Sequence, residues 1–149
     1  MLHLLLPAAA LYGDRRVKSA ARNGQEMVPP FPKHIKWHHM ENPGLAGGIL
    51  KDKPHAVLWV QAGASLLLFF SLVFRRREQS CVEKAGRHFM FFGALSNLYD
   101  RVAHGSVTDM LCFSHAPGKL KQLVFNIADF MLLFGAILTL LGRVFRKKA

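Results

Sequence analysis

The chain has 149 residues, 51% of them hydrophobic, with a mean hydropathy of +0.17 and a formal net charge of +11. That length is one domain's worth, and the apolar content excludes a disordered chain. The charge invites a nucleic-acid partner, but no nucleic-acid motif accompanies it and the basic residues flank apolar runs: Arg75, Arg76 and Arg77 follow Phe74, and Arg143, Arg146, Lys147 and Lys148 close the chain. Membrane proteins hold their cytoplasmic ends in this way, so nucleic acid is excluded as the partner.

The first apolar segment, residues 1–13, is short for a span. It lacks the basic start of a secretory signal, and Pro-Ala-Ala-Ala-Leu-Tyr-Gly-Asp is a poor cleavage site, so it reads as a shortened first transmembrane helix over about 1–14. Residues 56–74 form the cleanest span, free of charge and long enough for a ~30 Å hydrocarbon core, with Gln61 its one strongly polar position. A third span takes in about 85–101, and a fourth about 123–144. The expectation is an all-α integral membrane protein of four transmembrane helices forming a single domain, 1–149, with room for short β-structure in a small extracytoplasmic loop region.

Positive charge sets the orientation. Five Lys/Arg fall in residues 75–88 and four in the tail, against eight over the 41 residues 15–55 and only Lys119 and Lys121 in 102–122. Both termini are therefore expected in the cytoplasm. Cys81 and Cys112 then lie on opposite membrane faces, which argues against a disulfide, and they show no metal or redox spacing.

Against this frame two carboxylates stand out. Asp129 is the only ionisable residue in the apolar run 123–142, about six residues, or on the order of 9 Å, below its outer end. Asp109 closes the stretch 93–109, GALSNLYDRVAHGSVTD, in the second outer loop. A carboxylate at membrane depth costs at least ~2.5–3.5 kcal/mol, which makes a functional role the default. The topology brings both to the outer face.

Other residues have plainer explanations beside their functional ones. Asp14 and Lys18 are an i, i+4 pair that a solvated interface would explain. Asn42-Pro43-Gly44, followed by Leu45-Ala46-Gly47-Gly48, reads as a turn. His34, His38 and His39 surround Trp37, but no zinc-site pattern accompanies them, and headgroup contacts explain them as well as a metal. Asn97 and Arg101 share a helical face; Asp100 can pair with a cation in a structural role. A guanidinium at Arg101 would lower the pKa of nearby acids and hold a substrate carbonyl. Asn126, one turn from Asp129, can orient that carboxylate.

Taken together, GALSNLYDRVAHGSVTD and VFNIAD (124–129) resemble the two signature blocks of the lipoprotein signal peptidase (signal peptidase II) family. Asp14 with Lys18 resembles that family's Asp-x-x-x-Lys, and Asn42-Pro43-Gly44 its Asn-x-Gly motif, so the likeness covers nearly the whole chain. It implies a four-helix aspartic endopeptidase of the bacterial cytoplasmic membrane, active at the outer face. Such enzymes cut the signal peptide from prolipoproteins just before a cysteine carrying diacylglycerol, and are targets of globomycin. By position Asp109 and Asp129 match the catalytic pair. Asn42, Gly44, Gly93, Asn97, Arg101 and Asn126 match positions that bind substrate or support the site, and Asp14, Lys18 and Asp100 structural positions near it. The implied partners are a lipid-modified prolipoprotein and membrane lipids, with the chain acting as a monomer. Departures from the family pattern are Gly47 and Gly48 in the outer loop, Phe130 where a small hydroxyl residue is common, Cys112 in place of an acid, and the short first span.

The expected chemistry is that of a carboxylate dyad. Two close acids cannot both ionise, so one serves as general base toward water while the other donates to the scissile carbonyl oxygen, with no metal or cofactor required. Two other classes compete: a small proton-coupled transporter subunit in which Asp129 and Asp100 relay protons, and an inactive paralogue that binds lipoproteins. An aspartate in an extramembrane loop does not suit the first, and the intact pair does not suit the second.

Overall fold

The computed structural model describes residues 2–25, 35–74, 80–113, 117–118 and 123–146. Among the described residues four α-helices carry the chain, α1 (Leu2–Arg22), α2 (Pro54–Val73), α3 (Cys81–His104) and α4 (Ile127–Arg146), with a short 3-10 turn at Ala46–Gly48. Between them lie three strands, β1 (Ile35–Asn42), β2 (Val107–Phe113) and β3 (Val124–Phe125), in an antiparallel sheet of order β1-β2-β3. The protein is therefore mostly helical with one small sheet. His34, Arg75–Arg77, Lys119, Lys121, Lys147 and Lys148, which enter the charge and histidine expectations, lie outside the described residues.

By length and composition α2 and residues Ile127–Phe145 of α4 could cross a membrane. Their surfaces fit that role, since Trp59 and Leu67 along α2, Phe74 just past its end, and Leu133 and Leu140 along α4 are exposed. α1 and α3 carry charge into the bundle instead. The first helix does not stop near residue 14: it continues to Arg22, because Asp14 and Lys18 turn inward, both fully buried. The solvated-pair explanation of these two residues is thus overturned. An ammonium and a carboxylate that pair with each other and with other helices can be buried where single ones cannot.

α3 packs most extensively on α4. A methyl group at Gly93 would stand 2.7 Å from the Ala128 carbonyl oxygen, and one at Gly86 2.6 Å from that of Gly135, so these glycines allow the two backbones to touch. At the opposite end of α3, buried Glu83 receives Arg87 at 2.9 Å and Arg143 at 3.5 Å, and Arg87 also donates to Ser71 O in α2. Gly105, left-handed at φ +79, ends α3 and turns the chain into β2. The sheet packs on α1 through Ala21, Met110 and Leu111, with Trp37 and Phe125 against them. Phe130 joins Phe113 and Phe125 in an aromatic cluster at ring separations of 5.7–6.1 Å, which accounts for its bulk. Cys81 opens α3 and Cys112 lies on β2, not joined by a disulfide.

Candidate active site

Asp129 sits in the first turn of α4, held by its own helix start. Asn126 precedes the helix and accepts the Asp129 N–H through Oδ1 at 2.9 Å, while its own N–H donates to Asp129 Oδ2 at 3.1 Å. This reciprocal arrangement is a capping box, written in the sequence as Asn-Ile-Ala-Asp. The remaining oxygen, Oδ1, accepts Asn97 Nδ2 from α3 at 3.0 Å. Helix α4 begins at Ile127, so the aspartate lies at the mouth of the helix and not about 9 Å down an apolar run. The residues before it form β3.

Asp109 is in the middle strand, paired opposite Met40, and is only 2% exposed. This corrects the expectation of a loop residue: the outer region is a sheet, and its ladder fixes the aspartate's position. Asn126 Nδ2 donates to Oδ1 at 2.7 Å and Asn42 Nδ2 to Oδ2 at 3.1 Å. Asn126 thus touches both acids at once. Burial, followed by the neighbouring Asp129 charge, pushes the Asp109 carboxyl up to about 6, against the pull of the Asn126 and Asn42 hydrogen bonds.

The partners of these amides are themselves fixed. Asn42 Oδ1 accepts the Gly44 N–H at 3.0 Å. Gly44 must be glycine, because a side chain there would stand 2.7 Å from Ile49 O. Arg101 donates to Gly44 O at 2.6 Å, Asn42 O at 3.3 Å and Pro43 O at 3.5 Å. Its guanidinium clamps this loop through three of the protein's own carbonyls. Asn97 Oδ1 accepts Lys18 Nζ at 2.8 Å. That ammonium is also ion-paired with Asp14 Oδ2 at 3.0 Å and Asp100 Oδ2 at 2.9 Å. Asp14 in turn accepts Ser96 Oγ at 2.5 Å and, through Oδ1, the Ala128 N–H at 3.0 Å, so an aspartate of α1 caps the start of α4. Asp100 also meets Arg15 and, at 3.4 Å, Arg22. Three cations hold it, which does not suit a proton relay.

Every candidate from the sequence except Gly93, Asp14, Lys18 and Asp100 either lines one cavity of about 280 Å³ or, as Gly44 does, shapes the loop beside it. Both aspartates, Asn42, Asn97, Arg101 and Asn126 face it, with Gln61, Leu123, Phe125 and Leu132 as further walls. Gly47, left-handed at φ +70, lines both this cavity and an adjoining space of about 520 Å³. Sequence reasoning missed the supporting roles of Arg15, Arg22 and Ser96, which have no local signal. It also missed Glu41, which takes Ser106 Oγ at 2.5 Å and Thr108 Oγ1 at 2.9 Å and so staples β1 to β2 beside Asn42 and Asp109. Burial opposes ionisation of Glu41, yet bonds to Ser106, His39 and Thr108 and the Arg22 charge hold its carboxyl below the ordinary value.

The fold is a helical bundle with two long apolar helices and a carboxylate-lined cavity beneath a small sheet. Two solved structures share it, each described as a bacterial membrane enzyme studied by the in meso method. One superposes with a TM-score of 0.77 over 96% of this chain and 87% of its own, the other with 0.73 over 94% and 90%, both at 23% identity. The family model for signal peptidase (SPase) II matches residues 6–145. Proteins called lipoprotein signal peptidase are similar in sequence: 32% identity over 119 residues in Enterobacter sp. (78% of this chain, 70% of the relative), 34% over 107 in Clostridium tetani (72% and 67%), and 28% over 153 in Chlorobium luteolum (97% and 91%). The chain belongs to the signal peptidase II family, and it is a peptidase of a bacterial membrane.

Proposed function

We propose that this protein is a membrane aspartic endopeptidase that removes the signal peptide from diacylglyceryl-modified prolipoproteins, cutting before the lipidated cysteine, with Asp109 and Asp129 as the catalytic pair. The single observation that carries the assignment is Asn126, whose side chain and backbone reach both carboxylates and hold them at one cavity. Two carboxylates held by one amide at one cavity cannot both ionise, so the pair shares a proton and its titration belongs to both acids together. The ionised member takes a proton from water as the oxygen attacks the scissile carbonyl carbon, and the protonated member donates to the carbonyl oxygen. Collapse of the tetrahedral intermediate returns that proton to the dyad, the C–N bond breaks, and the departing nitrogen receives a proton to become the cysteine amine.

All four helices span the membrane in this proposal, as a single domain over 1–149, with both termini cytoplasmic and the sheet and cavity at the outer face. Exposed apolar side chains along α2 and α4 support it, as does the cytoplasmic basic bias. Asn42, Gly44, Gly93, Asn97, Arg101 and Asn126 support or line the site, and Asp14, Lys18 and Asp100 brace it. The protein works as a monomer among membrane lipids and is inhibited by globomycin-type peptides.

The test is cleavage of a diacylglyceryl-modified prolipoprotein by the purified protein in detergent. Asp109→Asn and Asp129→Asn are each expected to abolish it; cleavage surviving either substitution refutes the dyad. Equal cleavage of the unlipidated precursor refutes the substrate assignment.

A further inference from the structure

Gln61 is the one strongly polar side chain in the middle of α2, and α2 is otherwise the most membrane-like helix of the protein. Its Nε2 donates to the backbone oxygen of Ala94 in α3 at 3.2 Å. A backbone carbonyl only accepts, so this contact fixes which end of the amide faces α3. The other end, the Oε1 acceptor, has no hydrogen-bond partner among the described residues, and Gln61 lines the same cavity as Asp109 and Asp129. Packing between α2 and α3 alone would be served by an apolar residue, whereas this amide leaves an acceptor available at the cavity.

Position identifies the donor. Ala94 precedes Asn97 by three residues on α3, about 4.5 Å along the axis, and Asn97 is bonded to Asp129. Leu132, three residues beyond Asp129 on α4, lies on the same lower level and also lines the cavity. Gln61 therefore stands about one helical turn to the membrane side of the acids. An extended peptide rises ~3.3 Å per residue, so the group at Gln61 belongs to the first or second residue before the scissile bond.

We infer that Gln61 is a substrate-binding residue that accepts a hydrogen bond from a backbone N–H of the signal peptide, one or two residues before the cleavage point. This inference rests on the peptidase function proposed above. A backbone bond made there holds the substrate in register without demanding a particular side chain. In an apolar surround such a bond contributes on the order of tenfold to kcat/KM.

The experiment is an amide-to-ester scan of a synthetic diacylglyceryl lipopeptide. Esters replace, one at a time, the backbone N–H groups of the two residues before the scissile bond, and each peptide is cleaved by wild type and by Gln61→Met, which preserves bulk and removes the acceptor. One ester is expected to lower wild-type kcat/KM about tenfold. Gln61→Met should lose about tenfold on the all-amide peptide and nothing further on that ester. A merely structural glutamine would lower activity on all peptides alike and leave the ester-to-amide ratio unchanged, which overturns the inference. If Gln61→Met does not fold, the wild-type scan decides alone: no sensitive N–H at either position overturns it. Absence of cleavage of the all-amide peptide by wild type would instead overturn the proposed function, and this inference with it.

Discussion

Replacing Asp109 by asparagine should make the protein inactive yet more stable, and only at high pH. The carboxyl stands at about 6 where its ordinary value is 3.8, because burial and the Asp129 charge disfavour its ionised form. A carboxyl raised in the folded state binds its proton more tightly there than in the unfolded chain. Its stabilising contribution is therefore complete below about 3.8 and is lost as pH climbs through about 6. By pH 8 the ionised side chain costs about 3 kcal/mol. The replacement amide would carry no charge but only one oxygen, so one of the two amides that now donate, Asn42 or Asn126, loses its acceptor, a penalty of about 1 kcal/mol. The net gain is about 2 kcal/mol at pH 8, or roughly 4–8 °C in Tm for a chain of this size. Below about pH 4 the variant should be slightly less stable than wild type. Thermal unfolding of both proteins in the same detergent from pH 4 to 8 measures this. A difference between them that does not change with pH would refute the argument that burial and Asp129 raise this carboxyl.

The same titration should appear in catalysis: kcat/KM is expected to fall as pH rises above about 6, as the dyad loses its shared proton, and a flat profile from pH 6 to 9 would contradict this. Lys18→Met leaves Asp14 and Asp100 buried without the ammonium between them, at a cost of about 3–5 kcal/mol. Size-exclusion chromatography in detergent should show little folded protein, and a Tm within about 3 °C of wild type would refute the role. Gly93→Ala places a methyl 2.7 Å from Ala128 O and must push α4 away from α3 just where Asp129 begins its helix. A displacement of about 1 Å costs roughly a hundredfold in rate, so peptidase assays should show kcat down by about that factor while the protein remains helical by circular dichroism.

Much of the site was legible because its residues sit in local patterns. Asn126 and Asp129 form a capping box over four residues, and α2 is a charge-free run of sufficient length. Composition, charge placement and short motifs of this kind act within a few turns of chain, so they determined the helical class, the long apolar helices α2 and α4, and the candidate acids. Tertiary structure decided what those acids touch. Asp109 looked like a loop residue because the pairing that fixes it, with Met40 on β1, spans a long stretch of sequence and leaves no periodic trace in a strand of seven residues. Asp14 and Lys18 looked like a surface pair because their partners Ser96, Asn97, Asp100 and Ala128 come from α3 and α4. Whether a charge at a helix end is solvated or buried depends on the partners folding brings to it. Here those partners convert an ordinary ion pair into the brace beneath the cavity that Asp109 and Asp129 line.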